Sequence, residues 1–228
     1  MGTDPAVNDV AANRLTANEG AANEGAANEE AVRDTVLAAG VLGPGRFYEA
    51  DYKNPLTSAN KAGRVAWGIV SSTLFRWSPV PCFGWRRFLL RLFGARLAAT
   101  ARVYPTTRIW APWNLVMEDD TCLGPDVHCL NVATVAVGPE ATVSFGTVLC
   151  AASHDIHSAD RRLISGPIRL ERGAFLFAEA FVCMDVTIGE GAVVAARAFV
   201  RRSVGAYDVV AGNPAQIVSR RRIAAPPG

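Results

Sequence analysis

Hydrophobic residues return along this chain with a period of six. From Leu170 an aliphatic side chain recurs at Leu176, Val182, Ile188, Val194 and Val200, and a small or β-branched residue stands four places after each: Ala174, Ala180, Val186, Ala192, Ala198 and Val204. A helix needs its apolar face every 3.6 residues and a half-buried strand every 2, so a strict six fits neither as an independent element. It fits a chain that coils through short flat strands joined by tight corners, with one residue of each six filling the interior. Such coils pair backbone to backbone with the coils above and below, about 4.8 Å apart. The expected fold is an all-β solenoid, a parallel β-helix.

The same register can be traced upstream with two slips. One block runs Leu97, Val103, Ile109, with Ala101, Thr107 and Trp113 at the small place, where Trp113 departs from the pattern and suggests a bulge or an outward-turned ring. A second runs Met117, Leu123, Cys129; after two inserted residues at 135–136 a third runs Val137, Val143, Leu149. The register then breaks over 155–169 and resumes at Leu170. At three hexads to a coil, the solenoid at 96–204 should hold about five coils, followed by a short tail at 205–228. A long loop expelled from a regular solenoid is tolerated only on its surface, and such insertions are commonly where function sits. The break at 155–169 is therefore expected to wall an active site.

Upstream of the solenoid the composition changes twice. Residues 1–45 are a low-complexity acidic segment without an aromatic residue, too poor in apolar surface to offset its ordering entropy, and are expected to be a disordered tail. Residues 46–95 turn apolar and aromatic. Asn60 to Arg76 reads as a helix behind a Ser58 or Asn60 cap, and GWRRFLLRLFG at 84–94 reads as a second, stopped by Gly94. The second sets Trp85, Phe88, Leu89, Leu92 and Phe93 against Arg86, Arg87 and Arg91. These helices should cap the solenoid; a basic amphipathic helix resting on a membrane surface is the alternative.

Half of the 228 residues are hydrophobic, enough for a core, and the net charge of +2 gives no general pull toward nucleic acid. Five cysteines without an apolar leader suggest a cytoplasmic protein with reduced thiols, and no apolar run approaches the roughly 20 residues that span a bilayer.

His154 opens the break, its backbone held by the last hexad while its side chain faces the departing loop. An imidazole with an ordinary pKa near 6.5 can take a proton from a hydroxyl or amine, which makes His154 the candidate general base. His157 is the alternative base or a substrate contact, and His128 reads as a surface residue. Cys150, four residues before His154, is the candidate nucleophile, but its sequence neighbourhood lacks the electropositive setting that lowers a thiol pKa. Cys129 reads as core, Cys122, His128 and Cys129 match no zinc spacing, and no metal is expected. Arg197, Arg201, Arg202 and Arg220 to Arg222 gather at the far end, where forked guanidinium donors suit phosphates.

Beyond the hexads, WAPWN at 110–114, AASHD at 151–155, IGEGAVVAARAFV at 188–200 and VVAGNPAQIVSRR at 209–221 resemble the hexapeptide-repeat acyltransferases with a left-handed β-helix. WGIV at 67–70 and GWRRFLLRLFGA at 84–95 bring the chain closest to the colanic acid biosynthesis acetyltransferases, over about residues 51–222. The resemblance implies a homotrimer with sites between neighbouring subunits, acetyl-CoA along the side of the helix, and a histidine that activates the acceptor. Carried over by position, that histidine is His154, and Asn131 falls where sugar acetyltransferases have an acceptor-contacting asparagine. Ala178 and Ala196 take places whose backbone lines the pantetheine channel, and Arg201 and Arg202 replace a Thr-Lys pair near the nucleotide phosphates. Phe177 stands where a small residue is usual and bears on acyl preference.

The leading expectation is transfer of acetyl from acetyl-CoA to a sugar or saccharide hydroxyl without a covalent enzyme intermediate. The alternatives are acylation of an antibiotic or other secondary metabolite and a non-catalytic scaffold. At most a peripheral membrane contact is expected.

Overall fold

The computed structural model describes residues 57–157 and 161–222. The acidic segment expected to be disordered lies outside the described residues, as do 158–160 within the break.

The chain winds into a left-handed parallel β-helix with three flat faces. The first face stacks β1 (Arg96–Leu97), β4 (Leu115–Met117), β7 (Val135–Val137), β12 (Ile168–Leu170) and β15 (Val186–Ile188). The second stacks β2 (Arg102–Val103), β5 (Cys122–Leu123), β8 (Thr142–Val143), β13 (Phe175–Leu176), β16 (Val193–Val194) and β18 (Asp208–Ala211), closed by the antiparallel β19 (Gln216–Arg220). The third stacks β3 (Arg108–Ile109), β6 (His128–Leu130), β9 (Val148–Cys150), β14 (Phe181–Cys183) and β17 (Phe199–Val200).

Five coils are complete, as counted from the hexads, and a sixth begins: Val204 bridges to Ile188 and β18 pairs with β16. The two-residue insertion is elsewhere than expected. Val135–Val137 is an ordinary strand, pairing with Leu115–Met117, and the extra residues lie in the corners 110–114 and 130–134. In the first of these, Pro112–Asn114 forms a 3-10 turn that carries the Trp113 ring outward and under the N-terminal helix, where a Cβ on Gly63 would meet it at 3.2 Å.

The small places of the repeat explain themselves in the packing. Ala141, Ala174, Ala180, Ala192 and Ala198 are fully buried at corners where the backbone turns across the core. The first face has more room: its three-residue strands turn two side chains inward, so Val186 fills the place that alanine takes at the other corners.

The ladder between coils has a polarity. Carbonyls of inward-facing residues point toward the preceding coil: Met117, Thr121, Leu123 and Cys129 accept from the backbone N–H of Ala98, Arg102, Tyr104 and Trp110. The equivalent carbonyls of the first coil, at Leu97, Ala101, Val103 and Ile109, have no coil before them. Two helices supply the donors. In α1 (Ser58–Val70), capped by the Thr57 hydroxyl, the indole N–H of buried Trp67 donates to Ile109 at 2.7 Å. In α2 (Phe83–Leu92), Arg86 donates to Val103 at 2.6 Å, Arg87 to Ala101 at 2.9 Å and Arg91 to Leu97 at 2.6 Å. Arginine and tryptophan side chains donate and never accept, which is what a row of bare carbonyls requires.

This splits the apolar set expected to face inward: Leu89 and Phe93 pack on the core and the other three do not. Arg86, Leu89 and Leu90 are buried against the solenoid, while Trp85, Phe88 and Leu92 are exposed. Gly94 ends the helix as expected, at φ +87°, where a Cβ would also press on Trp113 at 3.2 Å.

Arg86 is fully buried and also donates to Ser78 and to the Pro79 and Val80 carbonyls; burial holds its guanidinium below the usual arginine range. Replacing it with methionine would leave buried carbonyls unpaired. Arg86→Met is expected to cost about 3 kcal/mol in urea unfolding, with Arg86→Lys recovering only part.

Candidate active site

The break in the register is a β-hairpin thrown outward from the corner between the third and first faces of the third coil. β10 (Ala152–His154) pairs antiparallel with β11 (Leu163–Ser165), His154 opposite Leu163. At its base Gly166 donates to the Ala151 carbonyl, and the solenoid resumes at Ile168, two residues before the expected Leu170. Gly166 lets the Asp185 carboxylate of the next coil lie over the hairpin base: a Cβ there would stand 2.0 Å from Oδ1 and turn that side chain away.

His154 is exposed on this hairpin, and its Nδ1 lies 2.6 Å from the Arg161 carbonyl oxygen. A carbonyl can only accept, so Nδ1 carries the proton and Nε2 presents a lone pair. A ring fixed at one nitrogen and basic at the other is the arrangement a general base needs. The turn that brings Arg161 across is held by Asp155. Its backbone N–H donates to the Arg162 carbonyl, its Oδ1 accepts from the His157 N–H at 3.0 Å, and its Oδ2 pairs with the Arg162 guanidinium at 3.2 Å. These contacts, the backbone N–H foremost, hold the Asp155 carboxyl below the usual carboxylate range. Asp155 takes this positioning role through an Asx turn to His157, a contact that its place after the histidine does not by itself announce. His157 is exposed on the same turn, and His128 is exposed on the third face between Arg108 and Val148.

Asn131 is a correction. It is fully buried inside the corner of the second coil, its Oδ1 accepting from the Ala111 N–H at 3.0 Å and its Nδ2 donating to the Ala111 carbonyl at 2.6 Å. Both ends of the amide are occupied by backbone, so the side chain does not present itself to an acceptor. Asn114, from WAPWN, reaches the same corner from outside, donating to the Asn131 and Val132 carbonyls. The wide corner beneath the hairpin is thus built on two asparagines.

Ala178 and Ala196 stack on the corner between the second and third faces, with the Arg197 N–H donating to the Ala178 carbonyl at 3.0 Å. Phe177 stands beside them, 46 % exposed, its ring 4.7 Å from that of Phe175. Arg201 and Arg202 are not with them. They lie past β17 at the corner between the third and first faces, exposed, and line a groove closed on its other side by Pro214–Ile217. The hairpin carrying His154 departs from this latter corner too, two coils earlier.

Cys150 donates its thiol to the Ala152 carbonyl, and in register beside it stands Cys183, whose thiol burial pushes up. Cys129 is core, its thiol pushed up to about 12 by complete burial. Among the described residues no cluster of three His, Cys, Asp or Glu side chains is placed to hold a metal ion, and no helix is long and apolar enough to cross a membrane.

No protein-family model matches the chain. Over 155 residues it is 37 % identical to the putative colanic acid biosynthesis acetyltransferase WcaF of Escherichia coli, covering 68 % of this chain and 85 % of that protein. A hexapeptide-repeat-containing acetyltransferase of Vibrio cholerae superposes with a TM-score of 0.65 at 25 % identity, covering 72 % of this chain and 93 % of the other. Its complex with acetyl-CoA superposes at 0.67, with 22 % identity and coverage of 78 % and 97 %. A maltose O-acetyltransferase of Clostridium difficile superposes at 0.66 with 17 % identity, over 73 % of this chain and 90 % of that one, a likeness of fold.

The role of Asn131 separates two outcomes in one variant. Asn131→Ala would strand a buried N–H and a buried carbonyl, so it is expected to lower stability by about 2 kcal/mol in thermal or urea unfolding. The acceptor KM should stay within about twofold at a temperature where the variant is folded.

Proposed function

The chain belongs to the family of the colanic acid biosynthesis acetyltransferases, within the hexapeptide-repeat acetyltransferases, and on that premise we propose that it transfers an acetyl group from acetyl-CoA to a hydroxyl of a sugar or saccharide intermediate. The observation that carries the reading is the set of His154, an exposed ring with Nδ1 held on the Arg161 carbonyl, which leaves Nε2 as the nitrogen free to act.

In this reaction His154 Nε2 takes the acceptor hydroxyl proton as the oxygen attacks the thioester carbonyl. Backbone N–H groups stabilise the tetrahedral oxyanion, the carbon–sulfur bond breaks, and the proton passes from His154 to the departing CoA thiolate. No enzyme nucleophile intervenes, in keeping with a Cys150 thiol already engaged by a backbone carbonyl. The donor lies in the cleft between two subunits, its pantetheine arm passing the small Ala178 and Ala196 of one chain and its phosphates meeting Arg201 and Arg202 of the neighbouring chain, which share a corner with His154.

The site is shared between subunits of a homotrimer. His154 and the two alanines occupy different corners of the coil, so a site that uses both takes one corner from each of two neighbouring chains. A ring of three chains supplies that pairing three times over. A cytoplasmic location, where reduced thiols persist, belongs to the same reading.

His154→Ala should lower turnover by about two to four orders of magnitude, read as free thiol released from acetyl-CoA, while calorimetry still shows acetyl-CoA binding. Near-normal turnover in that variant overturns the assignment of the base. Arg201→Ala combined with Arg202→Ala should weaken acetyl-CoA binding roughly tenfold or more in calorimetry, with a smaller effect on kcat; unchanged binding would remove the pair from the donor site.

A further inference from the structure

The helices that close the solenoid carry an apolar surface that nothing in the chain's described residues covers. Leu74, Trp77, Trp85, Phe88 and Leu92 are 42–81 % exposed. Leu74, Trp85 and Phe88 are connected: the Trp85 indole donates to the Leu74 carbonyl at 3.1 Å and its ring stacks 5.8 Å from Phe88, while Trp85, Phe88 and Leu92 share one flank of α2. The helix cannot roll to bury this flank. Arg86, Arg87 and Arg91 are tied to the first coil's carbonyls, which fixes the rotation and leaves the apolar flank outward.

Charge states what kind of partner this surface fits. Residues 52–117 contain ten Lys and Arg and no Asp or Glu. Arg76, exposed, directly precedes Trp77 in the segment between the helices, and Lys61 is exposed in the first turn of α1. With no acidic residue in 52–117, two copies meeting through this surface would have no carboxylate from this segment to set against Arg76. The acidic segment 1–45 has the complementary charge but no aromatic side chain with which to cover tryptophan and phenylalanine. A bilayer with anionic headgroups offers both halves of the match. It presents negative charge at the surface and, just beneath it, an apolar layer at the depth where tryptophan rings partition.

We propose that the N-terminal helical cap is a peripheral docking surface for anionic phospholipid bilayers, with Trp77, Trp85, Phe88 and Leu92 entering the interface and the basic residues around them meeting the headgroups. α2 lies in the membrane plane and does not span it, and the solenoid projects from the surface with its hairpin accessible. The inference is independent of the chemistry at His154.

The test is flotation of the full chain with vesicles of phosphatidylglycerol and phosphatidylcholine, against vesicles of phosphatidylcholine alone. The protein should float with the anionic vesicles, and added salt should release it. A Trp77→Ser, Phe88→Ser double variant should partition at least about tenfold less while melting at the same temperature; Trp77→Ser alone, at the most exposed of these positions, should show a smaller loss in the same direction. Failure of the unaltered protein to float at low salt overturns the proposal, and so does flotation of the double variant at the original level. Concentration-dependent self-association without lipid, lost in the double variant, would assign the surface to a second copy instead.

Discussion

Everything in this solenoid depends on each coil's backbone being completed by its neighbours. The inward-facing carbonyls of a coil are satisfied by the coil before it, so the first coil presents bare acceptors at Leu97, Ala101, Val103 and Ile109. An unpaired buried carbonyl costs about 1–3 kcal/mol, and a row of four would leave the end of the helix open to fraying or to pairing with another chain. The protein meets this with side chains that can only donate, three arginines and one tryptophan. At the opposite end the requirement is met by more backbone: the sixth coil is begun at Val204 and β18, and β19 turns back against β18 to close the edge.

That solution has consequences for the rest of the molecule. Because the arginines of α2 face inward, its aromatic flank faces outward, and the cap becomes an interaction surface as well as a plug. The rigidity of the closed ladder also matters at the break. Strands above and below hold the third coil in register, so a hairpin can leave it and return at Ile168 without disturbing β12, which pairs on both sides. His154 therefore stands on a protrusion whose root is as fixed as the solenoid itself. The catalytic reading needs that, because a base is useful only where its nitrogen is held within hydrogen-bond reach of its substrate.

Much of this was legible in the residues. The hexads from Leu97 to Val204 identify the fold because a six-residue return with a small corner residue has few other physical solutions, and the break after His154 locates the hairpin. The wide corners were misread: Val135 and Ala136 look like an insertion in the pattern, whereas the surplus residues sit at 110–114 and 130–134, where Asn114 and Asn131 bind backbone. Asn131 shows the limit most clearly. Sequence position places it near a site, and only its coordinates reveal that both ends of its amide are turned inward onto Ala111.

By itself the sequence determined the solenoid, its five complete coils, the interruption and the histidine at its edge, since these follow from local period and from where it fails. The tertiary structure decided which way polar side chains turn. Helical spacing separates Arg86, Arg87 and Arg91 from Trp85, Phe88 and Leu92, but it carries no information about which flank meets protein. Leu89, Leu90 and Phe93 bury apolar area on the solenoid, and the unpaired carbonyls of the first coil, which no local pattern announces, draw the arginine donors to the same end and leave Trp85, Phe88 and Leu92 outside.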